Sequence, residues 1–375
     1  MDLSKKHILH IITRSEWGGA PRVVNMLAKH SNPDTSVACG SGGRLISELR
    51  EANVPVHELP QLESAPSPIS DIRTLVQLCY LLNTKDFDLI HCHSTKAGLI
   101  GRLAGTITQT PTLFTVHGWG FYNTEYDKLS SAIIHGERFL AQITDAIVCV
   151  SENDLRQGDQ HNITQNAMTK VIHNGVPPIE FDDDRTQISD ICSITNDKPV
   201  LGAIVRLAPQ KNPKAILRAG KKLQDRGRAV QVVIIGSGPL MAECEDYISK
   251  HNLDSVFLLG FQENALELLP DIDIFLLPSR FEGFPLTVLE SLHAGVPIVA
   301  YDVGGVSEAV QEGCTGYVCA EGDHNQFVDN IEKIIKGDKS SFMGSNARTI
   351  ARERFSAQRM SNDYEDVYKQ ILRDD

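Results

Sequence analysis

A chain of 375 residues is longer than a single hydrophobic core usually serves, so its length predicts two domains. Hydrophobic residues make up 41% and charged residues 22%, which is typical of a globular enzyme. The formal net charge of -12 argues against nucleic acid as a general partner.

Short β-rich segments alternate with longer helical patterns over residues 1–176, which predicts a parallel sheet built from βαβ units. The predicted strands are HILHIIT (7–13), SVACG (36–40), FDLIHCH (87–93), TLFTVHG (112–118), DAIVCVS (145–151) and KVIHNGV (170–176). The predicted helices are VVNMLAKH (23–30), DIRTLVQLCYLLN (71–83), KAGLIGRLAGTI (96–107) and TEYDKLSSAIIHGERFLAQIT (124–144). Residues 1–176 are therefore predicted to form an N-terminal Rossmann-like domain.

The alternation stops at residues 177–199, which are polar and rich in Pro, Asp and Asn, as in a linker. It resumes with the strand VLGAIVRL (200–207), so residues 200–354 are predicted to form a second Rossmann-like domain. Residues 355–375 are predicted to be a terminal helix that packs back towards the N-terminal domain. Two such domains would face each other across a cleft, with ligands beyond the carboxyl ends of the strands.

Cysteine usage and hydropathy predict a location in the cytoplasm. No apolar run reaches the roughly 18–20 residues of a spanning helix. The N-terminal stretch MDLSKKHILHIITRS is better explained as a first strand than as a signal peptide. Eight scattered cysteines without a C-x-x-C pair indicate reduced thiols rather than disulfides or a zinc site.

Three loops of the second domain have residues suited to binding an anion. Gly236 and Gly238 lie between a strand and a helix, and Gly304 repeats the arrangement one unit later. Arg206 and Lys211 follow the first strand of the domain, where two cations suit a diphosphate. A simple turn or a solvated surface pair explains each loop alone, but the three together favour a diphosphate site.

Two carboxylates lie eight positions apart in the segment RFEGFPLTVLESLHAGVPIVA (280–300). Glu282 follows a strand and can accept hydroxyl groups of a sugar from its loop. Glu290 lies on the next helix at the edge of the apolar face, where a carboxylate needs donors such as the two hydroxyls of ribose. The alternative is that the dipole of the helix alone favours a glutamate there. Ribose, two phosphates and a sugar together describe a nucleotide-diphosphate-sugar.

With these motifs in place, the chain resembles a retaining glycosyltransferase of family 4, a family with the GT-B fold. The most specific block is SRFEGFPLTVLESLHAGVPIVAYDVGGVSEAV (279–310), which contains the E-x7-E signature. Further blocks are WGGAPRVV (17–24), HCHSTKAGLIGRLAG (91–105), TVHGWGF (115–121), CVSENDL (149–155), VIHNGV (171–176) and VRLAPQK (205–211). The HSTKAG and TVHGWGF blocks look most like bacterial members that build capsule, exopolysaccharide and O-antigen units on a lipid-diphosphate carrier.

The resemblance implies roles for five residues in sugar transfer. His117 would face the transferred sugar from the first domain. Arg206 and Lys211 would neutralise the departing diphosphate, Glu282 would orient the sugar, and Glu290 would hold the ribose.

Donor binding is implied for further residues. Gly18 and Gly19 would bring backbone N–H groups to the donor phosphate or the acceptor. Phe261, after Gly260, would lie beside the base of the nucleotide. Phe284, in the E-x7-E block, is also a candidate donor-binding residue.

On the acceptor side, Lys96 starts a helix and is a candidate for meeting an acceptor phosphate, although an ordinary surface lysine is the alternative. Trp119 and Phe121 crowd one glycine-containing loop. They either cap the domain core or help to dock a lipid-linked acceptor at the membrane surface.

The sequence predicts neither a cofactor nor a metal. Asp271 and Asp273 form a D-x-D string, but they open a buried strand and are interpreted as structural. His91 and His93 point to one face of a strand and lack further ligands for a metal.

The predicted protein is thus a metal-independent hexosyltransferase that uses a nucleotide sugar, UDP before GDP. Its acceptor would be a polyprenyl-diphosphate-linked sugar. The enzyme would be a cytoplasmic protein, bound peripherally at the inner face of the plasma membrane, where it reaches this acceptor. Two alternatives are an enzyme like the UDP-N-acetylglucosamine 2-epimerases and a non-catalytic nucleotide-sugar-binding protein. The E-x7-E block argues against the epimerase, and the intact candidate catalytic residues argue against the binder.

Overall fold

The computed structural model describes residues 1–122, 130–195, 197–337 and 340–373. The chain divides into two compact units, Met1–Gly175 together with Ala357–Asp375, and Val176–Ser356. Across the described residues, each unit contains one sheet whose paired strands are all parallel. The predicted α/β class with two parallel sheets is confirmed.

The first unit is built on a sheet of seven strands. These are β1 (His7–Ile12), β2 (Asp34–Cys39), β3 (Val56–Glu58), β4 (Leu89–His93), β5 (Thr112–Val116), β6 (Ala146–Cys149) and β7 (Met168–Val171). Their order in the sheet is β3-β2-β1-β4-β5-β6-β7. The helices between them are α1 (Gly19–His30), α2 (Arg44–Glu51), α3 (Pro68–Thr84), α4 (Thr95–Thr108), α5 (Ser130–Ala141) and α6 (Glu152–Gln160). Because helices cover both faces, the central strands β1, β4, β5 and β6 are buried along almost their whole length.

Helix α4 lies unusually close to the first sheet, and its glycines explain why. A Cβ atom on Gly98 would approach the Phe114 ring to 2.6 Å, and one on Gly101 would approach Cys92 Sγ to 2.4 Å. Such distances are well inside ordinary van der Waals contact, so larger residues would push the helix outward. This packing fixes the N-terminal end of α4 at the carboxyl ends of β1 and β4.

The second unit is built on six strands, β8 (Val200–Ile204), β9 (Gln231–Ile235), β10 (Val256–Gly260), β11 (Ile274–Leu277), β12 (Ile298–Tyr301) and β13 (Gly316–Cys319). They lie in the order β10-β9-β8-β11-β12-β13. The helices are α7 (Ile188–Ile191), α8 (Pro213–Asp225), α9 (Met241–His251), α10 (Leu286–Ala294), α11 (Val306–Ala309), α12 (His324–Lys336) and α13 (Ser340–Arg354). This is the strand order of a doubly wound nucleotide-binding sheet.

Residues 177–199, the predicted linker, make specific contacts in the second unit. The Arg185 guanidinium donates to Asp271 Oδ1 over 2.5 Å, and the Ile188 N–H donates to Asp271 Oδ2 over 2.7 Å. Asp273 accepts from the Val200 N–H over 2.7 Å. Asp271 therefore holds part of the predicted linker, and Asp273 holds the start of β8. Both carboxylates of the D-x-D string have structural partners.

The chain ends on helix α14 (Ala357–Ile371), which belongs to the first unit. Buried Glu365 accepts from the Asn32 N–H over 2.8 Å, beyond the end of α1. The Tyr368 hydroxyl lies 2.8 Å from His91 Nδ1, and the Tyr364 hydroxyl lies 3.2 Å from Thr115 Oγ1. The last helix is thus tied to the polar interior of the first sheet.

The structure differs from the predicted element boundaries at several places. Strand β3 and helices α2, α6, α7, α12 and α13 were not predicted, and α7 lies within the predicted linker. The glycine loop after β9 predicts a helix that starts at Pro239, but α9 begins at Met241, because residues 236–240 pack against the loop after β8. Within the helix predicted over 124–144, α5 starts at Ser130, and residues 123–129 lie outside the described part of the chain.

Candidate active site

The central feature of the second sheet is the point at which its winding reverses, between β8 and β11. The connections from these neighbouring strands run to opposite sides, which opens a crevice at their carboxyl ends. Two of the predicted loops, residues 205–212 and 278–285, follow these two strands. The sequence prediction therefore falls on the place where such sheets bind their ligands.

An ion pair joins these two loops. Lys211 Nζ lies 2.5 Å from Glu282 Oε1, and the Glu282 side chain is only 6% exposed. The loops are also joined by backbone groups, because the Arg280 N–H donates to the Gln210 carbonyl over 2.8 Å. Gln210 Nε2 donates to the Phe281 carbonyl over 3.0 Å. Both charges are thus held in one geometry before any ligand binds.

The glycines of the predicted phosphate loops are required by packing within the second unit. A Cβ atom on Gly236, where φ is +134°, would lie 2.1 Å from the Val205 carbonyl oxygen. One on Gly304 would lie 1.9 Å from the Glu282 carbonyl oxygen, and one on Gly238 would lie 2.4 Å from the Leu207 carbonyl oxygen. Contacts within the protein therefore already explain why these three residues are glycine. Their role in phosphate binding stays a prediction.

The remaining candidates of the second unit differ in exposure. Arg206 is exposed and forms no ion pair among the described residues, so it is accessible to an anion. Phe261 is 69% exposed at the end of β10. Phe284 is buried with its ring centroid 5.6 Å from that of Phe355. Glu290, expected at the edge of the apolar face of α10, is almost completely buried.

Gly18 and Gly19 lie at the start of α1 and behave differently from the glycines of the second unit. A Cβ atom on Gly19 would meet nothing within 4 Å, and one on Gly18 would meet only Pro21 Cδ at 4.0 Å. Internal packing therefore does not explain why these residues are glycine. Their predicted role of bringing N–H groups to a ligand therefore stays a prediction.

His117 follows β5 and lies at one end of a row of imidazoles. Its Nε2 is 3.0 Å from Nδ1 of His93 on β4, and Nε2 of His93 is 3.0 Å from Nδ1 of His10 on β1. Burial lowers the pKa of His117 to about 4 and that of His10 to about 3. The rings are consequently uncharged near neutral pH.

The candidates on the acceptor side are not free surface groups. Lys96 Nζ lies 2.8 Å from Asp71 Oδ1 and also donates to the Ala65 carbonyl, at the edge of a pocket of about 370 Å³. Trp119 and Phe121 are buried, and the Trp119 indole N–H donates to the Asp154 carbonyl over 2.7 Å. Their burial favours the core-packing alternative for both rings.

Three buried histidines, His10, His91 and His93, have ring nitrogens within 4.8 Å of one another. Both nitrogens of His91 have hydroxyl partners, Tyr368 at 2.8 Å and Thr115 at 2.7 Å. Hydrogen bonds to these hydroxyls satisfy both nitrogens of His91, and His10 is the further histidine that the sequence interpretation of His91 and His93 did not include.

Sequence reasoning missed two features of this region. His10 was treated only as part of a strand, because its partners come from residues more than 80 positions away. Ser94 has φ of +72°, which is unusual outside glycine, at the switch point between β1 and β4. The Thr13 hydroxyl holds it at 2.8 Å. No local sequence signal identifies a positive φ at a serine.

Comparison with known proteins adds two family models. The model described as "Glycosyltransferase Family 4" matches residues 17–179, and the model described as "Glycosyl transferases group 1" matches residues 184–350. The two matches together span both units of the chain.

Two curated relatives match over nearly the whole length. The chain is 27% identical over 379 residues to the UDP-Gal:alpha-D-GlcNAc-diphosphoundecaprenol alpha-1,3-galactosyltransferase of Escherichia coli, covering 97% of each chain. It is 22% identical over 381 residues to the capsular polysaccharide biosynthesis glycosyltransferase CapM of Staphylococcus aureus, covering 99% of each.

Solved structures show the same fold. HepE of Anabaena, in complex with UDP-glucose, superposes with a TM-score of 0.81 at 21% identity over 97% of this chain and 99% of that one. Sucrose-phosphate synthase of Thermosynechococcus elongatus gives a TM-score of 0.82 at 17% identity over 99% and 100%.

Proposed function

We propose, from the premise that this chain belongs to glycosyltransferase family 4 and has the GT-B fold, that it transfers a hexose or N-acetylhexosamine from a nucleotide-diphosphate-sugar. The donor is UDP-linked in preference to GDP-linked. The acceptor is a polyprenyl-diphosphate-linked sugar in bacterial surface polysaccharide biosynthesis, and the anomeric configuration is retained.

The observation that carries the proposal is the ion pair of Lys211 and Glu282 at the switch point of the second sheet. Negative charge develops on the nucleoside diphosphate as it leaves. A cation that is already fixed in place stabilises that charge without reorganisation, which is the usual source of catalytic power in such sites. Glu282 fixes the cation and presents its second carboxylate oxygen to hydroxyl groups.

The relatives support the choice of substrates. The name of the Escherichia coli relative specifies a UDP-galactose donor and a diphosphoundecaprenol-linked acceptor. Solved structures of HepE contain UDP and UDP-glucose. UDP is therefore the first nucleotide to test, and a polyprenyl diphosphate is the first carrier.

Other candidates complete the proposed assignment. Arg206 adds a second cation for the diphosphate. Glu290 holds the ribose, Phe261 borders the base, and the N–H groups at Gly18 and Gly19 meet a phosphate. His117 donates to a substrate hydroxyl.

The direct test combines donor binding with transfer. UDP is expected to raise the melting temperature of the protein more than GDP at equal concentration, because a ligand of the folded state stabilises it by mass action. A UDP-sugar hit is then incubated with a synthetic polyprenyl-diphosphate-linked sugar, with and without EDTA, and the product anomer is read by NMR. Turnover that is lost in EDTA and restored by Mg²⁺ would contradict metal independence.

The same assay separates the alternatives. An epimerase would convert UDP-N-acetylglucosamine with no acceptor present, whereas a binding protein would show a thermal shift with neither transfer nor slow donor hydrolysis. Either outcome would contradict the proposed transferase.

One face of α3 supports a peripheral position on a membrane. Its exposed side chains Ile69, Ile72, Val76 and Tyr80 recur at helical spacing and form one apolar stripe, each at least 62% exposed. Within Pro68–Thr84, all of which the structure describes, Arg73 is the one exposed charged residue. No helix among the described residues is long and apolar enough to cross a bilayer. An apolar stripe with a cation suits the interface of an anionic membrane.

The double change Ile72→Glu, Val76→Glu is expected to weaken binding to vesicles of phosphatidylglycerol and phosphatidylethanolamine at least about tenfold, because each side chain loses favourable apolar burial. Cosedimentation measures it. Phe342→Glu, an equally exposed apolar residue of α13, is the control for a general effect of added charge. Unchanged vesicle binding of the α3 variant, or an equal loss in the control, would remove this face from the proposal.

A further inference from the structure

The row of imidazoles in the first unit has a direction that can be deduced by counting protons. His117, His93 and His10 are linked by two hydrogen bonds of 3.0 Å each. Each neutral ring carries one proton, and each bond contains one. Both bonds must therefore point the same way, either from His10 towards His117 or from His117 towards His10.

The buried end of the row decides between the two directions. His10 Nε2 is fully buried and has no hydrogen-bond partner among the described residues. If the bonds pointed inward, this nitrogen would carry a proton with no acceptor. If they point outward, it has only an unused lone pair. Buried donors without an acceptor are the rarer and costlier defect, so the outward direction is favoured.

The consequence appears at the other end of the row. In the outward arrangement His10 Nδ1–H donates to His93 Nε2, and His93 Nδ1–H donates to His117 Nε2. The single proton of His117 is then on Nδ1, an atom with no hydrogen-bond partner among the described residues. Neutral imidazole in water favours the opposite tautomer, with its proton on Nε2. The row thus reverses the intrinsic preference of the ring.

We propose that His93 and His10 are positioning residues that fix His117 as the Nδ1–H tautomer, which donates a hydrogen bond to a hydroxyl oxygen of the bound sugar. The inference rests on the proposed function for the identity of that ligand, but the tautomer itself does not. His117 then acts as a neutral donor that orients and selects a hydroxyl, and it does not act as a base through Nδ1.

The test is a two-bond ¹H–¹⁵N NMR spectrum of the full chain labelled with ¹⁵N-histidine, with His117→Asn used to assign the signal. The wild-type protein is expected to show His117 protonated on Nδ1. His93→Asp places an acceptor at Nε2 where His93 places a donor, and it is expected to move the proton of His117 to Nε2 at a pH where the ring is neutral. His93→Asn offers an amide N–H near the position of Nδ1 and is expected to keep the wild-type tautomer.

Activity gives the second readout. His93→Asp is expected to lower kcat about tenfold, the loss of about one hydrogen bond to the sugar, and His93→Asn is expected to keep most of the wild-type kcat. A wild-type His117 protonated on Nε2 would overturn the proposal, and the wild-type spectrum suffices if a variant does not fold. Stoichiometric Zn²⁺ that shifts the His10 and His93 signals would also overturn it, because a metal would replace the shared proton.

Failure of the proposed function looks different. If His117→Asn transfers sugar at the wild-type rate while wild-type His117 is protonated on Nδ1, the tautomer assignment stands and the role of His117 in transfer falls. A wild-type protein that transfers no sugar leaves the spectrum unaffected.

Discussion

Lys211→Met is expected to lower kcat for sugar transfer about 100- to 1000-fold while weakening UDP binding far less. Lys211 is one of two cations at the carboxyl end of β8, and Glu282 holds it at 2.5 Å. In the proposed site, its charge matters most when the diphosphate acquires negative charge in the transition state. Ground-state binding by that site would still retain Arg206 and the backbone N–H groups of the loops. Steady-state kinetics and calorimetry with UDP measure the two effects separately.

Lys214→Met is the matched control, since Lys214 lies three residues further along and pairs with Glu243 on the surface. It is expected to leave kcat within about twofold, because exposed ion pairs contribute little. Equal losses of kcat and UDP affinity in Lys211→Met would show uniform binding and contradict a transition-state role.

Glu282→Gln tests the other half of the same pair. The change keeps the shape of the side chain and removes its charge, so sugar transfer should suffer far more than nucleotide binding. The double variant with Lys211→Met is expected to be less impaired than the product of the two single losses, because each single change leaves one charge without its partner. Strict additivity would indicate that the pair does not act as a unit.

The sequence predicted where Lys211 and Glu282 lie along the chain, but it did not predict that they form an ion pair. The alternation of β-rich and helical segments predicted β8 and β11. Lys211 and Glu282 were each predicted to lie in the loop after one of these strands. Their contact depends on the order β10-β9-β8-β11-β12-β13, in which strands 70 residues apart become neighbours. Local patterns specify strand and helix, whereas strand order is a global property of the packed sheet.

Glycines illustrate a second limit of sequence reasoning. Gly19 and Gly236 carry the same one-letter signal, and both were assigned to a phosphate or ligand. The structure separates them, because a side chain at Gly236 would collide with the Val205 carbonyl while one at Gly19 would enter open space. Glycine permits close approach in either case, and only the fold shows that at Gly236 the approaching group belongs to the protein itself.

Removing one partner of the buried ion pair between α4 and α5 is expected to lower the unfolding free energy more than the other changes proposed for the first unit. Arg102 Nη2 lies 2.8 Å from Glu137 Oε2, with exposures of 0% and 4%, and the guanidinium lies 4.1 Å above the Phe114 ring. Arg102→Met leaves a buried carboxylate without its cation. It should cost about 3–5 kcal/mol of unfolding free energy, as should Glu137→Leu.

The double variant Arg102→Met, Glu137→Leu is expected to recover most of that loss, because it removes two desolvated charges together. Arg102 Nη1 has no hydrogen-bond partner among the described residues, so the wild-type pair itself retains an uncompensated cost. Both tryptophans, Trp17 and Trp119, lie in the first unit. Urea unfolding followed by tryptophan fluorescence therefore reports on this unit.

A second ion pair, with nearly the same N···O distance but greater exposure, separates the effect of burial from that of contact distance. Arg50 Nη2 lies 2.7 Å from Glu58 Oε1, but the two side chains are 61% and 33% exposed. Arg50→Met should change the unfolding free energy by less than about 1 kcal/mol, because water screens the charge that remains. Similar losses in Arg50→Met and Arg102→Met would mean that contact distance rather than desolvation governs these pairs. A double variant as unstable as either single variant would show that the charges of Arg102 and Glu137 are net stabilising in this core.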